Sequence, residues 1–160
     1  MINVTFLFDR TNNWLSEYFP EYLKTSKEFN VNICYEEKEV RGVDLVFVLG
    51  YTKVLQGEIL SSNKLLLVVH ESDLPKGRGF APVQWQILEG KNDITVCLLK
   101  VNNELDSGDI FDKKTLSFDG TELYEEIREK QALATFELIA RFLDGYPDLN
   151  FEKQKGKPTF

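Results

Sequence analysis

The stretch DLVFVLGYTKVLQGEILSSNKLLLVVH, residues 44–70, contains two aliphatic runs, DLVFVL and LLLVV, in which apolar and polar side chains do not alternate. Such runs suit strands buried on both faces, and those belong to parallel sheets covered by helices. Residues 54–60 between them have the length of a crossover helix, so the stretch reads as strand, helix, strand. The second run ends on His70, the single histidine among 160 residues, and passes at once into ESDLPKGRGF. A buried strand needs no histidine at its tip.

Working outward, residues 2–8 (INVTFLF) read as a buried strand and residues 14–25 as a short helix disturbed by Pro20. Residues 29–35 alternate with period two, as a strand does. A second helix is expected over residues 82–88, with Pro82 in its first turn and Gly90 just past its end; Trp85 within it reads as a core side chain. Residues 93–101 (DITVCLLKV) form a further strand, and residues 110–118 one or two antiparallel edge segments. The last helix is expected to start at the D-x-x-E pattern of Asp119 and Glu122. Leu123, Ile127, Ala134 and Leu138 would share one face of it, and Gly145, Tyr146 and Pro147 would stop it. Alternating strands and helices with short connections give an α/β doubly wound domain over residues 1–150. Residues 151–160 (FEKQKGKPTF), with three lysines, read as a tail or the start of a C-terminal extension.

Composition narrows the function. A 42% hydrophobic content with 12 Phe provides a substantial core. Acidic residues outnumber basic ones by 26 to 19, for a net charge of -7, and no Lys/Arg block stands out, which disfavours nucleic acid as the main partner. No apolar run approaches the roughly 20 residues of a membrane span. Residues 1–9 have neither the basic start nor the cleavage site of a signal peptide, so a cytoplasmic location is expected. Cys34 and Cys97 lie inside apolar strand-like runs and read as buried free thiols; without CxxC or HxxxH spacing, no metal site is expected.

In doubly wound sheets, ligands sit at the carboxyl ends of strands, where His70 lies. At the rim its imidazole is expected to be partly solvated and able to carry a proton. The alternative is a ring that merely caps its strand by bonding to a loop carbonyl. The acidic loop ELDSGDI, residues 104–110, follows the next strand, and a carboxylate from it beside His70 would hold one tautomer and favour the protonated ring. An ordinary Asp/Gly turn is the competing reading. Arg78, flanked by Gly77 and Gly79, could grip a phosphate or carboxylate with two parallel bonds, or be a plain surface arginine.

HESDLPKGRGFAPVQWQILEG, followed by ITVCLLKVNNELDSGDI, resembles the formyltransferase family. Its pattern is approximately N-x-H-x-S-x-L-P-x-x-R-G-x-x-P-x-x-W-x-I-x-x-G and then, after a strand, D-x-G-D-I. The match covers residues 44–110, and the separation of His70 from Asp106 fits the family's catalytic pair.

The resemblance implies a Rossmann-like, mostly parallel sheet with helices on both faces and N10-formyltetrahydrofolate as formyl donor. It makes His70 and Asp106 the catalytic pair. It places Gly50 and Tyr51 at the start of the pterin pocket, Gly108 and Asp109 in the loop closing its other side, and Arg78 and Gly79 in the loop framing the acceptor. The acceptor it suggests is a primary amine on a nucleotide-linked amino sugar, by likeness to small sugar N-formyltransferases, and it allows a homodimer. The alternatives are another amine acceptor such as a charged tRNA, hydrolysis of the donor, and a noncatalytic folate- or nucleotide-binding module. One departure stands out. The family's asparagine two residues before the histidine, a donor to the developing oxyanion, is Val68 here, on the same side of the strand as His70. Either another donor replaces it, such as protonated His70, a backbone N–H or Gln84, or activity is reduced or lost.

Overall fold

The computed structural model describes residues 1–160. Strands β1 (Ile2–Phe8), β2 (Phe29–Cys34), β3 (Leu45–Leu49) and β4 (Leu65–His70) run parallel to their partners. In β1, Val4 faces Val31 of β2 on one side and Leu45 of β3 on the other. Strand β5 (Asp93–Lys100) pairs antiparallel with β6 (Ile110–Ser117), with a register irregularity at Leu98/Leu99. The strand order is β2-β1-β3-β4-β5-β6, a mostly parallel α/β sheet as expected. The chain resolves into two compact units, Met1–Val68 with Val101–Asn103, and Val69–Lys100 with Glu104–Phe160. No helix is long and apolar enough to cross a membrane.

In the first unit, β3 is apolar throughout and β1 is apolar from Phe6 to Phe8 for a direct reason: both faces are covered there. Phe6 stacks on Phe47 at 5.2 Å and meets the edge of Phe19 at 4.8 Å. A second cluster gathers Leu7, Val46, Val48 and Leu66 with Cys34, Val40, Leu55 and Ile59. Helix formation is weaker than periodicity suggested. Residues 14–25 split into a 3₁₀ turn, Trp14–Tyr18, and a single turn of helix, α1 (Glu21–Lys24). Pro20 forces the split, because the residue before a proline is driven out of the helical region, and Phe19 is extended at φ -61°, ψ 119°. The crossover helix α2 covers only Glu58–Ser62, since Gly57 just ahead of it sits at φ 70°, ψ -131°. Leu55 and Ile59 still reach the core.

In the second unit, α3 (Pro82–Leu88) forms as expected, with Pro82 in its first turn and Gly90 beyond its end at φ 80°. Trp85, however, is 63% exposed and not a core residue. Helix α3 buries Val83, and a residue two positions on points roughly 200° around the axis from it.

Helix α4 (Tyr124–Gly145) begins one turn later than the D-x-x-E pattern suggests. The Glu122 carboxylate instead accepts the Asp119 and Gly120 N–H groups in a turn. The Leu123 N–H is taken by Glu126 at 2.7 Å, which leaves Leu123 69% exposed and off the buried face. That face includes Ala134, Leu138, Ile139 and Phe142, each large side chain contributing about 1.5–3 kcal/mol by burial. Phe142 meets Phe111 of β6 edge-on at 5.1 Å, and Phe151 packs near both rings. Glu152 and Ile110 exchange two main-chain hydrogen bonds of 2.8 Å, which bind the C-terminal segment to β6.

Candidate active site

His70 is the last residue of β4, and the chain then turns sharply. Ser72 Oγ donates to the Lys76 carbonyl at 2.7 Å, and the Lys76 N–H donates to the Asp73 carbonyl, closing a tight loop. Gly77, at φ 70°, completes the reversal; a Cβ there would stand 3.1 Å from the Ser72 Cβ. The Gly77 carbonyl thereby comes to 2.7 Å from His70 Nε2. A carbonyl only accepts, so Nε2 carries the hydrogen and Nδ1 is the nitrogen with a free lone pair when the ring is neutral.

His70 Nδ1 faces Asp106 Oδ2 at 3.5 Å. That is beyond an ordinary N–H···O distance, so this is the looser of the two contacts, but a proton arriving at Nδ1 would meet a carboxylate. Asp106 lies in the loop after β5 at φ 51°, a left-handed conformation uncommon for a residue with a side chain. Its Oδ2 accepts the Gly79 N–H at 2.9 Å, and its main-chain carbonyl accepts Gln154 Nε2 at 2.7 Å. Gly108 rests directly against the Lys100 carbonyl, and the Lys100 N–H donates to the Asp109 carbonyl at 2.9 Å. Two loops far apart in sequence thus bring His70, Gly79, Asp106, Gly108 and Asp109 into one neighbourhood of the second unit.

Two expectations change. His70 is only 5% exposed, not partly solvated, because the 71–79 loop folds back over its ring. Both readings of that ring are realised at once: one nitrogen bonds a loop carbonyl and the other faces the carboxylate. Arg78 does not present an open fork. Its Nη1 faces Glu104 at 3.2 Å and its Nη2 faces Gln154 Oε1 at 3.0 Å, while the side chain is 8% exposed and Nε has no partner.

Polar residues that the motif reading passed over also belong here. Gln154 bonds the 104–109 loop at Asp106 and Gly108 and the 71–79 loop through Arg78. The Glu71 carboxyl accepts Gln131 Nε2 from α4 at 3.2 Å, and its main-chain carbonyl accepts Gln86 Nε2 from α3 at 2.7 Å. Burial pushes the Glu71 carboxyl up, against the opposing pull of His70, Gln131 and Arg128. No local pattern announces Gln154 or Gln131, since their partners lie 48 and 60 residues away. Gln84 is exposed on α3.

Cys97 Sγ donates to the Ser72 carbonyl at 3.2 Å, and burial pushes its thiol up to about 11. Cys34 is likewise buried and free. Neither thiol should react with a water-soluble thiol reagent at pH 8 until the protein unfolds; fast modification of the native chain would contradict this placement.

In the first unit, Gly50 follows β3 at φ 62°, its carbonyl accepting Asn12 Nδ2 at 3.0 Å, and Tyr51 Oη donates to Glu37 at 2.7 Å. Asp9, at the end of β1, fastens the neighbouring turns. One oxygen accepts the N–H and hydroxyl of Thr11, the other those of Thr52. Burial tends to raise this carboxyl, but the four bonds from Thr52 and Thr11 outweigh it and hold the group well below the usual carboxylate range. Because the folded value is depressed, the stabilisation is present above the unfolded pKa of about 3.9 and is lost as pH falls below it. Asp9→Asn should cost about 2 kcal/mol near neutrality and flatten the acid side of the stability profile, as read by urea melts from pH 7 to 3.

The architecture and the two motif loops define a class, and comparison with known proteins agrees with it. The family model described as formyl transferase matches residues 4–143. The methionyl-tRNA formyltransferase of Rickettsia felis is 32% identical over 128 residues, covering 79% of this chain and 40% of that protein. The chain thus spans less than half the length of that relative. The methionyl-tRNA formyltransferase of Clostridium thermocellum superposes with a TM-score of 0.77 at 22% identity, over 99% of this chain and 71% of that one. WlaRD, a sugar 3N-formyl transferase solved in the presence of dTDP and 5-N-formyl-THF, gives 0.74 at 17% identity, over 98% and 67%. The chain belongs to the formyltransferase family.

Proposed function

We propose that this chain transfers a formyl group from N10-formyltetrahydrofolate to a primary amine, with His70 and Asp106 as its catalytic residues. The observation that carries the reading is the His70 ring: Nε2 is spent on Gly77, and Nδ1 is left as a base beside a carboxylate. The neutral amine attacks the formyl carbon, and the new C–N bond forms as negative charge gathers on the formyl oxygen. His70 Nδ1 takes the proton released by the attacking nitrogen, while Asp106 steadies the imidazolium. The same proton passes to N10 as its bond to carbon breaks, so the products are a formamide and tetrahydrofolate. Gly108 and Asp109, in the unit that holds His70 and Asp106, are the proposed donor contacts. Arg78 and Gly79 are assigned to the acceptor side, with Arg78 acting through the shape of its loop because its terminal nitrogens already have partners in the chain.

For the acceptor we favour the amine of a nucleotide-linked amino sugar. A net charge of -7 suits a small ligand better than a polyanion, and WlaRD offers a precedent for the fold. Methionyl-tRNA is the second reading, favoured by the R. felis relative. One assay separates them. The chain is incubated with N10-formyltetrahydrofolate alone, with nucleotide amino sugars, or with methionyl-tRNA, and tetrahydrofolate release is followed. Release that needs the sugar supports the proposal, and release that needs methionyl-tRNA supports the second reading. Release with water alone indicates a hydrolase, and none under any condition refutes transfer.

Val68 bears on the rate. Its side chain has no donor for the oxyanion, so Val68→Asn should raise kcat by up to about 10²-fold. An unchanged or lower kcat in the folded variant would mean that another group already fills that role.

A further inference from the structure

Residues 151–160 hold the histidine loop and the aspartate loop together. The Thr159 carbonyl accepts the Arg78 N–H at 2.9 Å, Thr159 Oγ1 accepts the Gly77 N–H at 2.9 Å, and the Thr159 N–H donates to the Pro75 carbonyl at 3.2 Å. Gln154 Nε2 donates to the carbonyls of Asp106 at 2.7 Å and Gly108 at 2.9 Å, and its Oε1 accepts Arg78 Nη2. One peptide unit is decisive. The Gly77 carbonyl and the Arg78 N–H belong to the same planar group, one end bonded to His70 Nε2 and the other to Thr159. Turning that plane away would break both bonds at once.

We propose that Thr159 and Gln154 are positioning residues for the catalytic pair. Thr159 holds Gly77 on both sides, its hydroxyl accepting the Gly77 N–H and its main-chain carbonyl the Arg78 N–H, so that the Gly77 carbonyl fixes the Nε2–H tautomer of His70, and Gln154 holds the main chain of Asp106 in the left-handed conformation that points its carboxylate at Nδ1. Hydrogen bonds in series polarise one another, so the Thr159 carbonyl also strengthens the acceptor that His70 meets. The two residues act through others and touch no reacting atom. The inference of a catalytic effect rests on the proposed function; the inference about the tautomer does not.

Because His70 is the single histidine, its ring ¹⁵N signals in the full chain need no assignment. They are recorded without substrate while pH is raised until the ring is neutral. The wild type should show one tautomer, protonated at Nε2. Gln154→Ala, and Thr159→Val, which removes the hydroxyl that accepts the Gly77 N–H but keeps the carbonyl bond to Arg78, should show a mixture of tautomers, with kcat lowered roughly 10- to 100-fold and KM for the donor little changed. Thr159→Ser, which restores the hydroxyl, should return both readouts to wild-type values. A wild-type ring protonated at Nδ1 overturns the proposal without any variant. So do folded Gln154→Ala and Thr159→Val proteins whose tautomer and kcat are unchanged. If the tautomer responds as described while no acceptor turns over, the positioning stands and formyl transfer is what fails.

Discussion

His70→Asn is expected to lower turnover by about 10²- to 10⁴-fold and to leave the fold in place. The asparagine amide ends near the place of Nδ1 and does not reach the Gly77 carbonyl, but the 71–79 loop keeps its bonds from Ser72 to Lys76, from Lys76 to Asp73 and from Gly77 and Arg78 to Thr159. What disappears with the ring is the nitrogen facing Asp106 at 3.5 Å, the only base in that position. Removing the Asp106 charge tests the other half of the pair. Asp106→Asn tolerates the φ of 51° and should retain stability while losing most of its turnover. Asp106→Ala should lose the same turnover and a further 1–2 kcal/mol or so, because it has no polar side chain to support the left-handed backbone and gives up the bond from Gly79. Turnover near wild type in either His70→Asn or Asp106→Asn would remove the pair from the mechanism.

The largest loss of stability is expected from Gly108→Ala. A Cβ at this position would lie 1.8 Å from the Lys100 carbonyl oxygen and 2.7 Å from its carbon, both backbone atoms. No rotamer relieves such an overlap. Lys100 cannot move freely either, since it ends β5 and its N–H is bound to the Asp109 carbonyl. The whole 104–109 loop must shift, breaking the bonds from Gln154 and Gly79 that hold Asp106. A cost of about 3 kcal/mol or more is expected in urea melts, together with loss of turnover. Gly42→Ala is the control. It has a positive φ of 66° but open space around it, so only the conformational penalty of about 1–2 kcal/mol applies. If the two variants prove equally stable, close backbone approach is not what requires glycine at 108.

Strand positions were readable because a strand covered on both faces is mostly apolar, as LVFVL is, buried at every position, and as LLLVV is, buried at Leu66 and Leu67 and half-buried at its other positions. Short helices were less readable. Their limits were decided by single residues, Pro20 and Gly57, and by the choice of Glu126 over Glu122 as the capping side chain. Trp85 shows the same limit for packing: one exposed aromatic side chain looks like a buried one until the facing element is known.

For the site, the sequence alone established which residues belong to the two loops, through the spacing of HESDLPKGRG and DSGDI and their likeness to a known family. It also exposed Val68 as the departure. Only the tertiary structure decided the state of the histidine: buried, bound through Nε2 to Gly77, and facing Asp106 through Nδ1. The physical reason is that a tautomer depends on which acceptor each nitrogen meets. Those acceptors were set by long-range hydrogen bonds that Gln154 donates and Thr159 accepts, residues in a segment whose polar composition reads as a tail or the start of an extension.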